Sequence, residues 1–160
     1  MLFGKNKTKK LNDDQLQLVN DCMDWCFFAA IKELREREYE GDPKHFPEDV
    51  REMLAQYMIG AIFFVIRDLD EHYNISKYKE ALVVRAVSFI YKENEKDKLK
   101  TQITLAACQD PDRHLSSFFA GERAATNFFE AQSSGVGQSE WLDTYKGMFG
   151  ACVGLFSEKN

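Results

Sequence analysis

The stretch Asp13–Glu40, DDQLQLVNDCMDWCFFAAIKELREREYE, decides the fold class. Leu16, Val19, Met23, Phe27, Ala30 and Leu34 recur every three or four residues. That is the spacing of one helix face, whereas a strand would alternate. Asn12 stands where an N-cap belongs, and Gln15 follows three residues later as its capping-box partner. Gly41, Asp42 and Pro43 form a stop, so the spacing predicts a helix over Asp13–Glu40.

The same period continues outward. Pro47 suits the first position of a second helix, which follows Val50, Leu54, Tyr57, Ala61, Val65 and Leu69 and ends near Asn74. A third helix runs from about Ser76 into the charged run Lys92–Lys98. Its segment Ala81–Tyr91 is apolar on most sides, which predicts the central helix. A short fourth helix covers Lys98–Gln109, with Leu99, Ile103 and Ala106 inward. Asp110 and Pro111 then serve as cap and first residue of a fifth helix reaching Gln132, on Leu115, Phe118, Phe119, Ala125 and Phe129. Ser133–Gln138 reads as a loop. Ser139 caps a sixth helix carrying Trp141, Tyr145, Met148, Cys152 and Phe156. The fold class is therefore all-α: a compact six-helix bundle or an orthogonal α-array. One domain spans 12–157, between a basic tail at 1–11 and a short C-terminal tail at 158–160.

A chain of 160 residues fits one domain with a core of its own. Its charge is uneven. Lys5, Lys7, Lys9 and Lys10 leave 17 basic and 26 acidic residues from Leu11 onward, a net charge of −9. Such a body repels phosphate backbones and argues against a nucleic-acid partner. The basic start behind Met1, Leu2 and Phe3 reads as a solvated tail. The longest apolar run, Tyr57–Ile66, is half of the roughly 20 residues a membrane span needs. No apolar stretch follows the basic start as a secretory signal requires, so the expected compartment is the cytosol.

Phosphate-cradling loops, dinucleotide fingerprints, zinc-protease and serine-hydrolase motifs and kinase signatures are all absent from the sequence. No cofactor and no metal is implied. Cys22 and Cys26 stand four apart on one helix, not at the two-residue gap of common zinc or redox motifs. Cys108 and Cys152 complete the set of thiols. Buried cysteine behaves as a small hydrophobe, and packing is the expected role.

Three polar residues break the apolar arcs. Asp68 and His72, one turn apart, continue the line of Val50, Leu54, Ala61 and Val65; Glu122 falls among Leu115, Phe118, Phe119 and Phe129. Left unpaired in a core, each would cost several kcal/mol, roughly 2–7 for a neutral polar group and more for a charge. They form either an internal acid–base site or a structural network with rim positions.

Two surface features point to partners. Leu18 and Trp25 project opposite the main stripe of the first helix, so another helix covers them or they anchor a partner. Gly147, Gly150 and Gly154 share one face of the sixth helix, which suits close approach of a backbone from this chain or from a second copy. Three functions follow, in this order. The first is a non-enzymatic, acidic helical interaction module (adaptor, inhibitor or immunity-type) that binds another protein or itself as a homodimer. The second is a helical binding domain for an apolar ligand or cofactor, suggested by 13 Phe and four Phe-containing pairs. The third is an enzyme using Asp68, His72 and Glu122.

Overall fold

The computed structural model describes residues 13–69, 78–95, 97 and 116–134. Four α-helices make up most of this, with no strand among the described residues: α1 Asp13–Glu36, α2 Glu48–Leu69, α3 Lys79–Ser88 and α4 Ser116–Ser134. The all-α class holds. The helices expected at 98–109 and 139–157 lie outside the described residues.

The first helix stops four residues before the expected Glu40. Glu38 takes the left-handed conformation (φ 69°). Its N–H bonds to the Arg35 carbonyl, and the Tyr39 N–H reaches back to Leu34, both at 3.0 Å. This pair of bonds is a Schellman cap, which here precedes the Gly41–Pro43 stop. It places Tyr39 beside Leu34 at the core's edge, with the Tyr39 ring 5.9 Å from Phe46.

Asp42 then accepts the Lys44 N–H and starts a 3₁₀ turn over Pro43–His45. The second helix begins one residue later than its sequence suggests. Pro47 is the flanking residue whose carbonyl accepts the Arg51 N–H at 3.0 Å.

Among the described helices the central one is α2, not α3. It packs against each of the other three described helices, most extensively against α4. Val50, Leu54, Tyr57, Ala61 and Val65 are all buried, as their period requires. In contrast, α3 buries only Val83, Ala86 and Val87, and Val84 and Phe89 are exposed. Its apolar character serves a groove, described below.

Small residues govern the α2/α4 crossing. The buried face of α4 is Ser117, Phe118, Ala120, Gly121, Ala124, Ala125, Phe128 and Ala131. The arc expected from the large side chains was rotated: Phe119 is exposed and Glu122 is only half-buried. The reason is backbone proximity. A Cβ on Gly121 would lie 1.8 Å from the Tyr57 carbonyl oxygen, and one on Gly60 would lie 2.1 Å from that of Phe118. Where the two backbones touch, at Gly60 and Gly121, only the smallest side chain fits, while Phe63 and Phe118 still meet across the same pair of helices.

Two polar devices fix the remaining elements. The Tyr57 hydroxyl, fully buried, donates to the Cys26 carbonyl at 2.9 Å and ties α2 to α1. Arg51 anchors the turn after α3. Its guanidinium bonds both carboxylate oxygens of Glu95 at 2.7 Å and the Phe46 carbonyl at 3.0 Å. It also lies 5.7 Å from the centre of the Tyr91 ring. Glu95 in turn accepts the Lys92 N–H.

Candidate functional site

α3 packs chiefly on α2, and α1 on α2 and α4, so α1 and α3 approach each other at few points and leave a groove between them. Met23 and Phe27 reach it from α1, Met58 from α2, and Leu82 and Ala86 from α3. These residues sit at i, i+4 spacing on α1 and on α3, so each helix contributes one ridge and α2 supplies the floor. The space within the groove, which is open to solvent on one side, is about 290 Å³.

Both ends of the groove are bridged. At one end, the Arg85 guanidinium of α3 donates to the Asn20 side-chain oxygen of α1. At the other, the Phe27 and Phe89 rings lie 6.0 Å apart. Asn20 and Phe27 are seven residues apart on one helix, so the opening is about 10 Å long at roughly 1.5 Å per residue. Phe28, 61% exposed, and Phe89, 53% exposed, flank the mouth. Asp24 adds one carboxylate to the rim. The site is thus an apolar slot with a polar end and an aromatic end.

The residues singled out from the sequence lie elsewhere. Trp25 is 6% exposed, its ring 6.1 Å from Phe128 of α4. It is unavailable as a surface anchor, because α4 covers the side of α1 opposite the groove. Leu18 is half-buried against the core. Gly147, Gly150, Gly154 and His72 lie outside the described residues. Asp68 is exposed, and Glu122 faces Arg67 at 3.4 Å. These two carboxylates are not brought together into a buried site.

Cys22 and Cys26 are fully buried and free. Burial first, then the neighbouring Cys26, pushes the Cys22 thiol well above its ordinary range. A thiol held in that state is a poor nucleophile and packs as an apolar group. Cys108 and Cys152 lie outside the described residues. Among the described residues no three His, Cys, Asp or Glu side chains gather as metal ligands. None of the described helices is long and apolar enough to cross a membrane.

Sequence reasoning assigned Met23 and Phe27 to the core stripe and missed the groove. The available signal was Phe28, off the buried face of α1, and Phe89, exposed just past the end of α3. Comparison of the chain with protein-family models, with curated proteins and with solved structures returns no match.

Proposed function

We propose that this chain is a cytosolic, non-enzymatic binding domain that takes up an apolar ligand in the α1/α3 slot. The observation that carries the reading is the slot itself, a space of about 290 Å³ framed by Met23, Phe27, Met58, Leu82 and Ala86. An apolar cavity of roughly 150 Å³ holds a benzene ring, so this one suits a body of about two fused rings. Methionines on floor and wall adapt to varied shapes. Two reduced, buried thiols accord with a cytosolic setting.

The test is an NMR titration with two-ring aromatic compounds. Backbone shifts should gather at Phe27, Leu82, Ala86 and Phe89, and a Leu82→Trp variant, which narrows the slot, should lose them. If no such compound moves these residues, the reading is wrong.

A second reading is a protein-interaction module using the same face. Phe28 and Phe89 favour it, since exposed aromatics beside an apolar pocket are typical of interface anchors. A photo-crosslinker at position 28 would then form a protein adduct in cells that Phe89→Glu abolishes. Trp25 no longer supports this reading, being buried. For the enzyme reading, Asp68 and Glu122 add no support from their positions.

A further inference from the structure

We infer that the ligand of the α1/α3 slot carries a carboxylate, bound at the Asn20/Arg85 end, on a two-ring apolar body; this rests on the binding-domain reading above. Arg85 carries five N–H groups and spends one on the neutral Asn20 oxygen. Arg85 is exposed at the mouth and makes no ion pair among the described residues. With the Asn20 oxygen committed to Arg85, the Asn20 amide nitrogen has two hydrogens to offer. Donors from two helices thus converge at one end of an apolar slot, which is the complement of a planar acceptor such as a carboxylate.

Asp24 stands one turn further along the same rim and is exposed. The nearest other side-chain acceptor in the slot, the Asn20 oxygen, is engaged by Arg85, so Asp24 makes a poorer anchor for a cation than Arg85 with Asn20 makes for an anion. It opposes an anion to a limited degree. The acidic body does so as well, but screening confines that effect to about 8 Å at physiological salt. The opposite end of the slot, closed by Phe27 and Phe89, offers only ring faces and edges. The orientation follows: carboxylate at Arg85, rings toward Phe89.

The experiment compares three probes on one naphthalene skeleton, 2-naphthoate, its isostere 2-naphthamide, and 2-naphthylmethylammonium, by calorimetry and NMR against the full chain. 2-Naphthoate is expected to bind about tenfold tighter than the amide, in line with one charge-assisted hydrogen-bonded contact at an exposed rim. Arg85→Gln, at an exposed position, should leave the fold intact and weaken 2-naphthoate by about tenfold more than it weakens 2-naphthamide, so that the preference disappears. Asp24→Asn should tighten 2-naphthoate, and added salt should shrink its advantage. Equal binding of anion and amide, or tightest binding by the ammonium, overturns the carboxylate assignment while leaving the apolar slot standing. If none of the three binds, the assignment and the binding-domain reading fall together.

Discussion

Gly60 and Gly121 lock α2 and α4 together reciprocally. Gly121 lies against the carbonyl of Tyr57, three residues before Gly60, and Gly60 lies against the carbonyl of Phe118, three residues before Gly121. Neither position has room for one carbon atom, and the obstructing atoms are helix backbone, which cannot rotate away. Gly60→Ala and Gly121→Ala are each expected to destabilise the fold by about 3 kcal/mol, the upper end of the overpacking range. Chemical denaturation of the two single variants checks this. A loss below about 1 kcal/mol in both would mean the helices separate easily and the crossing does not organise the core.

The end of α1 offers the opposite outcome, a substitution that stabilises. Glu38 is a non-glycine residue in the left-handed region (φ 69°) at the position of a Schellman cap where glycine is preferred. Glu38→Gly relieves a backbone penalty of roughly 1–2 kcal/mol, while glycine adds disorder to the unfolded chain. The net gain expected is about 0.5–1 kcal/mol, read as a rise in the denaturation midpoint.

Arg51 and Glu95 form a nearly buried pair, their side chains 11% and 12% exposed. Glu95→Gln leaves the guanidinium beside Phe46 and Tyr91 without its counter-charge. The expected loss is about 2–4 kcal/mol, since breaking one side of such a pair strands the other. Arg51→Met should cost less in a Glu95→Gln background than in the parent chain, because the pair is already broken there. A double-mutant cycle over these positions measures the coupling.

Tyr91 makes this corner sensitive to alkali. Burial pushes its phenol up to about 12, and the charge of Glu52 adds to the effect while Arg51 opposes it. In the unfolded chain a tyrosine ionises near 10, so the folded state resists ionisation more than the unfolded state does. The stability associated with Tyr91 is therefore complete below about pH 10 and is lost as pH rises through about 12. Its size is at most roughly 2–3 kcal/mol. Stability measured from pH 8 to 12 should fall more steeply in the parent chain than in Tyr91→Phe. Equal slopes would show that Tyr91 ionises freely.

The slot predicts small effects on stability. Phe28 is exposed, so Phe28→Ser should change stability by no more than about 0.5 kcal/mol. The same change should weaken any partner that uses the mouth of the slot. A large stability loss would show that Phe28 packs inward.

Periodicity alone determined that the chain is helical and which side of α2 is buried. Val50, Leu54, Tyr57, Ala61 and Val65 repeat at a period set by local geometry, and burial of that face follows from the hydrophobic effect. Helix ends were less legible, because at Glu38 hydrogen bonding overrode glycine preference. What only the tertiary structure decided is how the helices are placed against one another. Side-chain size suggested that Phe119 and Phe129 direct α4 inward; the approach of two backbones at Gly60 and Gly121 turned the small residues inward and left Phe119 partly exposed. Likewise, Trp25 carried no sign of whether a helix lay over it, and α4 does. The slot exists because α1 and α3 both rest on α2 and touch each other at few points, among them Asn20 with Arg85 and Phe27 with Phe89. A cavity is a property of the space between elements distant in sequence, and no local pattern along one helix encodes that space.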